Sequence, residues 1–262
     1  MAKENIEIVY EDRQIIAINK PAGISVTADR AGKMNLLDYL DIQRKDEEKL
    51  KLVHRLDKDT SGIMILAKDT DAQRKFSEFF EKGQVRKTYL ALTNGCPSEK
   101  TGVIDAPIAE NKKNSQLRDV DFKNGKDAQT KWELLANFGI ISLVAARPIT
   151  GRTHQIRVHF QHAGMPLAID PLYGQNHAIM LSSFKANYRL GKYEEEKPLI
   201  DRLTLCAYQL EIENLRLIAP LEKKFKATIK MLTKYNPKGP AAFVKEEIFE
   251  QLLNTKPLSL DI

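Results

Sequence analysis

The stretch that decides the reading is Leu52-Val53-His54-Arg55-Leu56-Asp57-Lys58-Asp59-Thr60-Ser61-Gly62-Ile63-Met64-Ile65-Leu66-Ala67-Lys68. Two kinds of sequence meet in it. Residues 54–61 gather a histidine, an arginine, two aspartates, a lysine and two hydroxyls, with Leu56 the one apolar side chain among them. Residues 63–67 are apolar throughout and have the length of a single buried strand. Gly62 joins the two, and glycine serves where a chain turns sharply or lets another backbone come close. A charged loop carried by a buried strand can fix a carboxylate in a cleft. The plainer alternative is a solvated turn ahead of a core strand.

Upstream, Ile6–Tyr10 and Ile15–Asn19 read as two strands joined through Glu11–Gln14 into a hairpin, which Pro21 and Gly23 terminate. Lys20 is expected either to face phosphate or to be plainly solvated. Asn35 caps a helix with Leu36, Leu37 and Leu40 on one side, and the chain turns strongly charged from Arg44 to Lys51. Downstream, Thr70 and Gln73 have capping-box spacing. They precede Phe76, Phe79 and Phe80 at helical spacing, which reads as core rather than as a base-stacking platform, and Gly83 suits the stop.

Val85–Thr93 is a strand centred on Tyr89, and Lys100–Asp127 is polar, turn-rich surface with one hairpin. Ala128–Asn137 and Ile140–Arg147 form a strand pair about Phe138-Gly139, with Trp132 in the core. Thr153–Ala163 reads as a helix closed by Gly164, with His154, Arg157 and Gln161 on one face and Ile156, Phe160 and Ala163 on another. Thr150-Gly151-Arg152 leads into its N-terminus, where free N–H groups favour an anion. His154, His159 and His162 lack the spacing of a zinc helix, so no metal is expected. Residues 175–200, including Glu194–Glu196, read as a surface insertion of helix and loop, and Leu203–Glu213 as a late strand. Pro220–Lys234 is basic and amphipathic, Ala241–Leu253 a final helix, and the last nine residues loose.

The balance of 41 Lys and Arg against 35 Asp and Glu, net +6, favours a polyanionic partner modestly. Cys96 and Cys206 have no metal-like spacing and read as reduced thiols of a cytosolic protein. No apolar signal region opens the chain, and no run approaches a membrane span, so the cytoplasm is the expected location. There is no dinucleotide fingerprint, phosphate-binding glycine loop or thiol cluster. The fold class expected is α+β, a mainly antiparallel mixed sheet flanked by helices and loops.

His54-Arg55-Leu56-Asp57 followed by Thr60-Ser61-Gly62 resembles the signature of the RluA-type RNA pseudouridine synthases. Arg86-Lys87-Thr88-Tyr89-Leu90-Ala91-Leu92 is similar to that family's tyrosine motif, and Thr150–His159 to its arginine motif, continued by Asp170-Pro171-Leu172-Tyr173-Gly174. Ile16–Gly23 resembles the family's first strand and turn. The matches fall in family order over residues 6–220, so 1–236 is read as the catalytic domain and 237–262 as a C-terminal helix and tail packed on it.

The resemblance implies an isomerase that converts uridine to pseudouridine in structured rRNA or tRNA, without a cofactor or a required protein partner, as a monomer. It makes Asp57 the catalytic carboxylate, acting on the sugar carbon or on a ribose proton. Arg157 is its charged partner, and Tyr89 stacks on the base and can remove the C5 proton. The target base must leave its stack. Arg55 is assigned to fill the gap, and His54 and Arg152 to phosphate or loop contacts. Family members often carry histidine where Cys206 stands. No N-terminal S4-type RNA-binding domain is expected, since the resemblance begins near residue 6. Two alternatives are an RNA-binding or RNA-folding protein without catalysis and a nucleosidase using paired carboxylates.

Overall fold

The computed structural model describes residues 5–28, 32–45, 47–189 and 195–262. The strands are β1 (Glu7–Glu11), β2 (Ile15–Lys20), β3 (Lys51–Leu52), β4 (Ser61–Ala67), β5 (Arg86–Asn94), β6 (Thr101–Asp105), β7 (Ile108–Glu110), β8 (Arg118–Val120), β9 (Gln129–Asn137), β10 (Ile141–Pro148), β11 (Leu205–Ile212) and β12 (Leu215–Ile218). The helices are α1 (Leu36–Gln43), α2 (Thr70–Glu81), α3 (Gln155–His162), α4 (Lys223–Tyr235) and α5 (Glu247–Leu253). The class is α+β, with mostly antiparallel strands. The chain forms two compact units, Met1–Thr88 with Cys206–Pro220, and Tyr89–Leu205 with Leu221–Ile262. Residues 237–262 therefore group with the second unit.

In the first unit, the β1–β2 hairpin turns on Asp12, whose Oδ1 accepts the N–H groups of Gln14 and Ile15 at 2.7 and 2.8 Å. β2 runs antiparallel to β4 from Ile15↔Ala67 to Lys20↔Gly62. On its other side β4 pairs in parallel with β11 through Cys206↔Ser61 and Ala207↔Gly62. Every β4 residue is buried, which is why its sequence shows an unbroken apolar run instead of alternation. Gly62 sits at φ +113°, and a Cβ there would lie 2.0 Å from the Ala207 carbonyl oxygen. Only glycine lets the two backbones meet.

α1 begins as expected at Asn35, whose side chain accepts from Leu37 and Asp38 while the Asp38 carboxylate returns to the Asn35 N–H. For α2 the cap is Asp69, not Thr70. Asp69 is extended, and its carboxylate takes the Ala72 N–H at 2.7 Å. Phe76 is fully buried with Phe79 edge-on to it, as core.

In the second unit, β5, β10, β9 and β6 pair antiparallel in that order. Trp132 is buried and lies over Gly102, where an added Cβ would meet its indole at 2.7 Å. β7 and β8 form the polar hairpin. Ile156 and Phe160 of α3 join Ala91, Val144, Leu167 and Leu205 in one core. The stretch 175–200 is loop with a 3-10 helix at Leu181–Ser183 and a bridge between Ile179 and Ile200, while Glu194 lies outside the described residues. Two expectations are corrected here. The final helix is broken: Gly239–Ala242 is 3-10, Phe243 bridges Ala136, Val244 donates to the Leu135 carbonyl, and α5 starts only at Glu247. The tail is not loose. Leu258 is buried, the Asp261 N–H reaches Glu133 at 2.8 Å, and Arg147 donates to the Ile262 carbonyl.

Candidate active site

In the first unit the loop before β4 carries His54, Arg55 and Asp57. Leu56 is buried, Asp57 half-buried and Arg55 exposed. The Asp57 carbonyl accepts the Thr60 N–H at 3.2 Å and closes a tight turn. Lys20 corrects both expectations made for it. It is wholly buried, and its ammonium donates to the carbonyls of Pro21, Lys58 and Thr60 at 3.0, 2.9 and 2.9 Å. The Gly23 N–H also binds the Lys58 carbonyl, at 2.9 Å. An ammonium with three donors is well suited to gather carbonyls, and these flank Asp57 on its C-terminal side. The chain after Asp57 is thus fastened to the end of β2 by charge-assisted bonds.

His54 holds the other flank. Its Nε2 accepts the Ile65 N–H at 3.0 Å, and its ring stacks on Phe80 at 4.2 Å. Burial, with Lys87 nearby, lowers its pKa to about 3. A neutral ring turned inward lacks the charge a phosphate contact would use, so the geometry makes His54 a strut of the loop. The linkage sign follows. Its folded pKa lies below the unfolded value of 6.5, so the unfolded chain takes up the proton first. Stability is therefore lost as pH falls from about 6.5 toward 3.

His159 shifts the same way through burial. It lies between the Thr130 hydroxyl at 2.8 Å and the Ala106 carbonyl at 2.9 Å. Glu11, lowered to about 2 by hydrogen bonds from Arg44 and Lys68, enters only below about 4.5. Between pH 6.5 and 5, urea melts should show a loss of about 1–2 kcal/mol from His54, with His159 adding in the same direction. In His54→Gln that loss of about 1–2 kcal/mol should vanish from the profile; an unchanged slope would remove His54 from the account.

In the second unit, Tyr89 lies on β5 opposite Ala146, half-buried against the core of Ile156 and Phe160. α3 begins later than the sequence pattern predicts, at Gln155, because His154 adopts a left-handed conformation at φ 57°. Gln155 organises the entry: its Oε1 accepts from the Thr150 hydroxyl at 2.6 Å and the Arg152 N–H at 3.0 Å. Arg152 is exposed, with Nε on the Asp127 carbonyl at 2.9 Å.

Arg157 is buried and bidentate on Asp170, Nε to Oδ2 at 2.8 Å and Nη2 to Oδ1 at 2.6 Å. Its guanidinium carbon stands 5.0 Å from the Tyr173 ring. Asp170 is itself held by the N–H groups of Leu172 and Tyr173 at 2.9 and 3.2 Å. The Tyr173 hydroxyl meets the Arg118 N–H and His154 Nδ1, each at 2.8 Å, and burial raises its pKa. Asp170, Tyr173 and Lys20 thus position residues the sequence singled out, a role not read from the sequence. The only advance sign of the first two was their place in the Asp170–Gly174 run. Among the described residues no group of three His, Cys, Asp or Glu is placed to hold a metal, and no helix is long and apolar enough to cross a membrane.

Residues 14–162 match the RNA pseudouridylate synthase family. An RNA pseudouridine synthase of Zymomonas mobilis is 38% identical over 226 residues, 83% of this chain and 94% of that protein. A ribosomal large subunit pseudouridine synthase C of Pasteurella multocida is 35% identical over 229 residues, 84% of this chain but 66% of the relative, so the chain spans just under two thirds of it. Among solved structures, human RNA pseudouridylate synthase domain containing 4 superposes with a TM-score of 0.65 at 27% identity, covering 86% of this chain and 92% of the human one.

Proposed function

Since the chain belongs to the RNA pseudouridylate synthase family, we propose that it isomerises uridine to pseudouridine in the RNA of the large ribosomal subunit, with Asp57 as the catalytic carboxylate. The observation that carries this is the mounting of Asp57. It is half-buried on a loop fastened on one flank by Lys20 and on the other by His54. A reacting carboxylate needs that preorganisation. The RNA class comes from the relatives' names.

Tyr89 serves the base, by stacking and by taking the C5 proton. Arg157 supplies the fixed positive charge, oriented through Asp170. Arg55, exposed and planar, fills the stack the base vacates, and Arg152 takes a phosphate. The protein acts as a monomer in the cytoplasm. When the N-glycosidic bond is broken, the base turned and the sugar rejoined through C5, the bond to C1′ takes the place of the C5–H bond: the C5 hydrogen leaves to solvent, and N1, freed from the sugar, takes up a proton. RNA tritiated at uridine C5 therefore reports turnover. Wild-type protein should release tritium from large-subunit rRNA and not from small-subunit rRNA or tRNA. Release from tRNA alone would move the substrate class. No release from any pool with RNA binding intact would overturn the activity, and free uracil in the product would replace it with hydrolysis.

A further inference from the structure

α4 carries Lys223, Lys224, Lys226, Lys230 and Lys234, and no Asp or Glu. Two of the five are used within the unit: Lys224 pairs with Asp201 at 2.8 Å, and Lys226 donates to the Leu253 carbonyl. The preceding acid, Glu222, is taken by Arg202. Lys223, Lys230 and Lys234 are exposed. At 3.6 residues per turn they project from one face over about 17 Å, while Phe225, Ile229 and Leu232 are buried on the other. The stripe continues past the helix. Lys234 and Lys185 both approach the Tyr235 ring, at 5.4 and 5.1 Å, and Lys185 also approaches Tyr188 at 5.5 Å. Glu196, eleven residues after Lys185 in sequence, accepts the Ser182 N–H at 2.8 Å.

This arrangement works against the helix. Lys226/Lys230 and Lys230/Lys234 are like charges four residues apart, each costing a few tenths of a kcal/mol. Lysines in the first turn oppose the helix dipole, and two ammoniums crowd one ring. A polyanion reverses the sign of all these terms, and tyrosines interleaved with the lysines offer stacking faces to bases. We infer that this stripe is a second RNA contact, running along the phosphates of the substrate RNA and distinct from the residues that handle the reacting uridine. The inference rests on the RNA reading given above.

The test is affinity for a large-subunit rRNA fragment between 50 and 200 mM salt, measured by fluorescence anisotropy. Each lost phosphate contact flattens the plot of log K against log salt by about 0.7–0.9. K223Q/K230Q/K234Q should therefore lose about 2–3 from the slope. Over that salt range its affinity should fall roughly 20- to 40-fold less than that of wild type. Lys→Arg at the same three positions should keep the slope.

K49Q/K75Q/K82Q removes equal charge from lysines paired with Asp41, Glu213 and Glu78, and it should behave as wild type. Thermal melts of the stripe variant should not fall below those of wild type, since repulsion has been removed. An unchanged slope in K223Q/K230Q/K234Q, or an equal loss in K49Q/K75Q/K82Q, overturns the inference. Tritium release by wild-type protein is read separately, so failure of the activity and failure of the stripe give different results.

Discussion

Asp57→Asn is expected to release no tritium from C5-labelled rRNA above background. The loss should be on the order of 10⁴-fold or more, the scale seen when a covalent or proton-transfer group is deleted. Asparagine keeps the size of the side chain and one carbonyl oxygen, but it removes the negative charge on which either proposed role depends. A nucleophile needs the oxyanion, and abstraction of a ribose proton needs a carboxylate to receive it. The scaffold should survive the change. The loop is fixed by the Lys20 ammonium on backbone carbonyls and by His54 on the Ile65 N–H, and none of these bonds uses the Asp57 side chain. The check is paired: tritium release under single-turnover conditions, and rRNA affinity with the thermal midpoint. Turnover within tenfold of wild type would remove Asp57 from the chemistry. Lost turnover with a collapsed midpoint would instead make it structural.

What the sequence shows and hides at this site has a physical pattern. β4 is legible because a strand covered on both faces must be apolar throughout, and Gly62 because a junction of loop and strand with glycine implies close backbone approach. The fate of Lys20 is not legible. Its carbonyl partners at 58 and 60 lie some forty residues away, and no local pattern separates a lysine that ends a strand in solvent from one that ends it inside the protein.

The α2 start slips by one residue because Asp69 and Thr70 are adjacent and both can cap. The outcome turns on which one is extended. The tail is misread for another reason. Its sequence is polar enough to be loose, but Glu133 and Lys245, remote in sequence, supply partners for Asp261. For His54 the sequence leaves phosphate and loop contacts both open, because neither its backbone partner nor its stacking partner is adjacent in sequence; Phe80 and the Ile65 N–H turn its ring onto the loop side.

Asp170→Ala should be the most damaging single change in the second unit. Arg157 and Asp170 are almost inaccessible to solvent, with side chains 4% and 1% exposed, and Asp170→Ala takes a bidentate carboxylate away from a buried guanidinium. Such truncations cost about 3–5 kcal/mol. For a protein of this size that lowers the melting temperature by roughly 6–20 °C. Turnover should fall as well, because the guanidinium loses the two bonds by which Asp170 orients its plane. Stability and function can be separated by a second variant. Arg157→Met with Asp170→Ala removes both charges and leaves an apolar site, so much of the lost stability should return. Tritium release should not return, because the fixed cation is gone. If the double variant recovered both folding and turnover, Arg157 would be a packing residue and the positive charge would have to come from elsewhere. Recovery of stability alone places Arg157 in the chemistry and Asp170 behind it as the residue that holds its plane.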